Sequence, residues 1–220
     1  MASKVSTMAR IYLDWDLTAA CFSFKANEDA TPEAVVNVLK STYDSHCDCD
    51  KQDRDVEDVT AYMQNRLKPL LVEYKDRITI LTANSASNVE KICTQFDIPT
   101  PDIYSVHDAK DTKYAYILDQ DKWFMFLDDS QKEIASVAPL ASHMGGVVVP
   151  IVRPPLNAPV ADCGMFGRLS TEAYAQKYPE FVQEGRWDWH AYIEACLKQL
   201  DAWNVPTFAS AESAQYRTFV

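Results

Sequence analysis

Two aspartates one residue apart, Asp14 and Asp16, stand where an apolar run of strand character ends, in Ile11-Tyr12-Leu13-Asp14-Trp15-Asp16-Leu17-Thr18. No lysine or arginine lies within that segment to neutralise them, so the pair costs free energy unless a cation or a reaction uses it. A second acidic pair, Asp128-Asp129, ends the run Trp123-Phe124-Met125-Phe126-Leu127. Between the pairs come Thr82, closing Arg77-Ile78-Thr79-Ile80-Leu81-Thr82, and Lys113, fifteen residues before Asp128. Hard oxygen donors of this kind suit Mg²⁺ better than the scattered histidines and cysteines of the chain do. One carboxylate of such a group can serve as a nucleophile, and a second, separate one as general acid and then general base. A hydroxyl and an ammonium would hold and neutralise an anionic group in the same place.

The order of elements says how residues so far apart can meet. Residues 10–16 and 77–82 read as strands, the second with the continuous β-branched character of a parallel strand covered on both faces. Between them Val56, Val59, Met63, Leu67, Leu70 and Tyr74 recur at helical spacing, with Asp55 as a cap and Pro69 as a kink. Ser87 and Glu90 form a capping box for a helix through Val89, Ile92, Cys93 and Phe96, closed by Pro99. A strand at 102–106, a short helix at 112–118, a strand at 123–129, a helix at 131–144 and a strand at 146–152 follow. Five strands with intervening helices predict a right-handed, doubly wound, mainly parallel α/β sheet. In such a sheet the ligand site lies beyond the carboxyl ends of the strands, which is where the acidic pairs and Thr82 fall. Lys113 is preferred over Lys110 as the amine because it begins the helix feeding the fourth strand.

Two parts sit outside that rhythm. Residues 19–54 form an insertion suited to a small cap or flap on a core spanning 1–155, and 156–220 read as a helical C-terminal extension packed on the core. The extension carries helices at roughly 171–184 and 188–203, the second with Trp189, Tyr192, Ile193, Cys196 and Leu200 at helical spacing. The aromatic residues around Asp188 read as core.

Composition narrows the remaining possibilities. With 220 residues, 47% of them hydrophobic, the chain can bury one sizeable core. A net charge of -11 disfavours a nucleic acid duplex as partner. The longest apolar runs are too short to span a bilayer, the N-terminus lacks a signal-peptide pattern, and six cysteines beside an ample core do not resemble a disulfide framework; a cytoplasmic protein is expected. His46, Cys47 and Cys49 are soft donors without a second ligand pair at zinc-site spacing. The acidic stretch from Asp48 fails the calcium-loop pattern, with Asp53 where glycine is required and Val59 where glutamate is. His107 reads as a hydrogen-bonded loop histidine, with substrate contact as the alternative, and Arg153 as a second anion contact or an anchor of the Pro-rich loop.

Taken together, the motifs Leu13-Asp14-Trp15-Asp16-Leu17-Thr18, Ile80-Leu81-Thr82-Ala83-Asn84-Ser85, the helix from Thr112 to Leu118 and Phe126-Leu127-Asp128-Asp129-Ser130 resemble, in order, those of the haloacid dehalogenase-like superfamily of phosphatases. The resemblance covers residues 10 to about 152. It implies a Mg²⁺-dependent phosphomonoesterase with an aspartyl-phosphate intermediate. Asp14 would be the nucleophile, Asp16 the general acid and base, and Thr82, Ala83, Asn84, Lys113 and Arg153 the groups around the phosphoryl oxygens. Asp14, Asp16 through its backbone carbonyl, Asp128 and Asp129 would hold the metal. The substrate would be a phosphorylated small metabolite, nucleotide or phosphoprotein. A phosphotransferase or another hydrolase on the same scaffold is the enzymatic alternative, although Asp16 speaks against a dehalogenase, since halide leaves without protonation. A catalytically idle binding or regulatory protein is the alternative from another class.

Overall fold

A computed structural model of the protein describes residues 9–20, 31, 33–34, 56–120, 123–151, 175–183 and 186–202. Five strands, β1 (Arg10–Leu13), β2 (Ile78–Thr82), β3 (Asp102–Ser105), β4 (Phe124–Asp128) and β5 (Val147–Pro150), form one sheet in the order β3-β2-β1-β4-β5. Every pairing is parallel. From β1 the chain builds outward through β2 to β3, then crosses to the other side of β1 for β4 and β5. β1 is therefore central, with Ile11 opposite both Ile78 and Met125, and Leu13 opposite both Ile80 and Leu127.

Both faces of the sheet are covered, which is why its strands read as unbroken apolar runs. Ile11, Leu13, Ile80 and Leu127 point to one face, where the helical path from α1 (Val56–Tyr62) to α2 (Lys68–Glu73), helix α3 (Ala86–Gln95) and the C-terminal α7 (Trp189–Ala202) pack. Tyr12, Leu81 and Phe126 point to the other, against α5 (Lys113–Leu118) and α6 (Gln131–Met144). The alternation follows from the two-residue period of a strand, and each aliphatic side chain fully buried this way contributes about 1.5–3 kcal/mol. A short α4 (Val106–Ala109) precedes α5. The local start signals are explicit: Ser105, Thr112 and Ser130 accept the amides of Asp108, Ala115 and Glu133 at the starts of α4, α5 and α6. Gly145 ends α6 at φ 76, and a Cβ there would lie 2.7 Å from the Trp123 ring.

Several expectations are corrected. β1 stops at Leu13; Asp14 still donates its amide to the Leu127 carbonyl at 3.0 Å, but Asp16 lies in a wide turn beyond the strand. The helix after residue 56 widens into a π-helical turn at Met63–Leu67, before Pro69. Pro69 itself sits in the first turn of α2; it has no N–H for the carbonyl four residues back, so the ladder loosens ahead of it. Ser87 lies inside α3 and does not cap it; the carboxylate of Asp108 accepts the Ala86 amide at 2.9 Å instead. The helix expected at 171–184 is helical only at 175–177 within its described part, then turns at Pro179–Phe181 and continues as a hairpin of Val182–Gln183 with Arg186–Trp187. Pro179 accounts for this, since it removes a donor and bars Tyr178 from helical geometry.

The insertion expected at 19–54, with His46, Cys47 and Cys49, and Arg153 in the Pro-rich segment lie outside the described residues, apart from positions 19, 20, 31, 33 and 34. Among the described residues no helix is long and apolar enough to cross a membrane, and Cys93 and Cys196 are free and buried.

Candidate functional site

The carboxyl ends of β1, β2 and β4 share one edge of the sheet, and the polar residues predicted from the sequence collect there. Lys113 is the centre. Its Nζ lies 2.5 Å from Asp14 Oδ1 and 2.6 Å from Asp128 Oδ2, with all three side chains almost fully buried. The parallel register brings Asp14 beside β4, and the Thr112 cap fixes the first turn of α5 so that Lys113 reaches inward. Lys110, in contrast, is exposed, in a left-handed conformation at the end of α4.

Electrostatics in this cluster is a contest between burial and pairing. Burial pulls the Lys113 ammonium toward neutrality, but the charges of Asp14 and Asp128 outweigh it and raise its pKa above that of an ordinary lysine. For Asp128 the balance falls the other way. Burial, reinforced by the neighbouring Asp14 charge, lifts its carboxyl well above the usual range against the pull of Lys113 and of the Ser130 amide, which donates to Asp128 Oδ1 at 2.7 Å.

Oxygen atoms of Asp14, Asp128 and Asp129 lie within 4.8 Å of one another. Carboxylate oxygens at this spacing could hold a metal ion. The carboxylate of Asp16 faces elsewhere. It accepts Thr82 Oγ1 at 3.4 Å and Asn84 Nδ2 at 3.2 Å. The Thr82 hydroxyl in turn accepts the Asn84 amide at 2.9 Å. Asn84 is a hub, since its Oδ1 accepts the Ser85 amide and Asn88 Nδ2 while its carbonyl accepts Ser105 Oγ. Ala83 is exposed between Thr82 and Asn84.

The connection from Asp14 to this donor group is the turn Trp15–Ala19. Its bonds run from the Ala19 amide to the Asp14 carbonyl at 3.1 Å and from the Ala20 amide to the Trp15 carbonyl at 2.9 Å, so the loop is wider than an α-turn. Thr18 Oγ1 reaches Asp129 Oδ1 at 3.5 Å, joining the turn to the acidic cluster. Thr18 and Ser130 were not among the residues singled out, although each lies inside a quoted motif and has the hydroxyl that such bridging and capping need. His107 is exposed in α4, with its Nδ1 3.1 Å from Asp108 Oδ1. No protein-family model, curated protein or solved structure matches the chain, so the site's own geometry carries its chemistry.

Proposed function

We propose that the protein is a Mg²⁺-dependent phosphomonoesterase of the haloacid dehalogenase-like kind, working through a phosphoryl group carried on Asp14. The observation that supports it is the buried Lys113 ammonium shared by Asp14 and Asp128, with Asp129 alongside and Asp16 across a short gap among hydroxyl and amide donors. Structure alone needs no such cluster, because a buried ionic group is weak evidence for stability.

In this reading Lys113 holds one oxygen of Asp14 and leaves the other for in-line attack on phosphorus. A P–O bond to Asp14 forms as the bond to the leaving oxygen breaks. Asp16 gives its proton to that oxygen, then takes one from the water that attacks the phosphoryl group, so inorganic phosphate departs and Asp14 is regenerated. Thr82 and Asn84, which now donate to the Asp16 carboxylate, are the donors that phosphoryl oxygens would take over. Mg²⁺, held by Asp14, Asp128 and Asp129, would supply charge neutralisation of the transferring group.

Turnover of p-nitrophenyl phosphate with Mg²⁺ and with excess chelator tests the reading, together with rapid-quench mass spectrometry for a phosphoryl adduct on Asp14. The chelated enzyme is expected to be inactive and Asp14→Asn to lose at least about 10⁴-fold in kcat with its fold retained. Undiminished turnover in chelator, or in Asp14→Asn, rejects it.

A further inference from the structure

The turn bearing Asp16 is gripped by two aromatic side chains from elements far away in sequence. The indole N–H of Trp189, at the start of α7, donates to the Thr18 carbonyl at 3.3 Å. The Tyr62 hydroxyl, at the end of α1, donates to the next carbonyl, that of Ala19, at 2.6 Å. Their rings stack on each other, with centroids 5.5 Å apart and planes 20° from parallel. Behind them Arg66, one helical turn past Tyr62, holds both carboxylate oxygens of Asp188 at 2.5 and 2.6 Å. Asp188 also accepts the Ala191 amide at 2.9 Å, which fixes the start of α7.

This turn needs outside support. Asp16 and Leu17 depart from helical geometry, and Leu17 has φ 62, a left-handed conformation that a residue with a branched side chain adopts only under constraint. Thr18, between the gripped carbonyls and Asp129, is fully buried. We propose that Tyr62 and Trp189 are positioning residues for the reaction: by fixing consecutive carbonyls of the turn they set the Asp16 carboxyl against the leaving oxygen, and Thr18 against Asp129. The catalytic consequence rests on the phosphomonoesterase reading, whereas the clamp on the turn does not. Helix α7 is then part of the framework of the active site and no mere appendage.

The test uses the full chain carrying Trp189→Phe, Tyr62→Phe and both together, since phenylalanine keeps an aromatic ring in each place; Tyr62→Phe removes only the donor, whereas Trp189→Phe removes the donor and part of a buried ring system. Amide exchange of the peptide covering residues 15–20, followed by mass spectrometry, is expected to rise roughly tenfold in the double variant while β2 and β4 stay protected. With an alkyl phosphate, whose leaving oxygen needs a proton, kcat should fall roughly tenfold with KM changed less than about twofold, and with p-nitrophenyl phosphate the loss should be smaller. Unchanged exchange at 15–20 in the double variant overturns the clamp, and a kcat loss equal for both leaving groups overturns its role in positioning Asp16. If the double variant does not fold, the same readouts on Tyr62→Phe, which loses one hydroxyl, decide. A wild-type protein inactive on every phosphate ester rejects the phosphomonoesterase reading, and the exchange result by itself then upholds or overturns the clamp.

Discussion

Lys113 brings its positive charge to Asp14 and Asp128, and the buried cluster affects stability and reactivity in opposite directions. Lys113→Met should lower kcat by about 10²–10³-fold, because a positioned charge at a transferring group is worth several kcal/mol, whereas Lys110→Met should be near neutral. Steady-state kinetics of the two variants checks this, and a reversal of their order would sink the assignment of the amine. Asp128 gives the complementary case. A carboxyl whose pKa is raised by folding binds more protons in the native than in the unfolded state, so its contribution to stability falls as pH rises from 3.8 toward its folded value. At neutral pH it is a cost that a cation would offset. Asp128→Asn is therefore expected to melt no lower than wild type in chelator, to gain nothing from Mg²⁺ where wild type gains several degrees, and to be inactive; thermal melts with and without the metal decide. That Lys113 rather than Lys110 would meet the acidic pairs was readable in the sequence, because Lys113 begins the helix that feeds the fourth strand. The engagement of Asp16 by Thr82 and Asn84 was not, since it depends on a turn whose path no local pattern specifies.

Helix α7 carries a second buried liability. His190 is 2% exposed, packs edge-on against Tyr62, and neither ring nitrogen has a hydrogen-bond partner among the described residues. Its Nδ1 approaches Glu194 Oε1 at 3.2 Å without hydrogen-bonding geometry. Burial, helped by the nearby Arg66 charge and opposed by Asp188, lowers its pKa from 6.5 to about 4. The unfolded chain therefore binds a proton that the native one refuses, and stability is lost as pH falls below 6.5, by about 2 kcal/mol at pH 5. Urea unfolding at pH 7 and pH 5 should show this acid loss in wild type and a smaller one in His190→Leu; equal losses would mean that other groups govern the acid limb. The existence of α7 was readable from its apolar spacing, as were the strands and α6, whose limits match the expectation from Gln131 to Met144. Its role was not. Trp189 reads as core, and it is core, but its donor acts on Thr18, 171 positions earlier, and periodicity carries no information about such a pairing. The same holds for the Ala86 cap, where a tertiary contact from Asp108 took the place of a local Ser87 box.

The strand order β3-β2-β1-β4-β5 puts the first strand in the middle of the sheet, and its second neighbour is encoded more than a hundred positions downstream. Chains that stop short of that neighbour leave one edge of β1 bare. A chain ending at residue 118 is expected to expose residues 10–13 to amide exchange and to protease, while the full chain protects them; equal protection in both would show that β1 is secured by β2 alone. During synthesis at about 5–20 residues per second the same bare edge lasts roughly 5–25 seconds. For that interval Ile11 and Leu13 can pair with any extended segment that reaches them, including one from another nascent chain. The hazard of misassembly is thus set by the pace of the ribosome and the presence of a chaperone, and the stability of the finished sheet gives no protection against it.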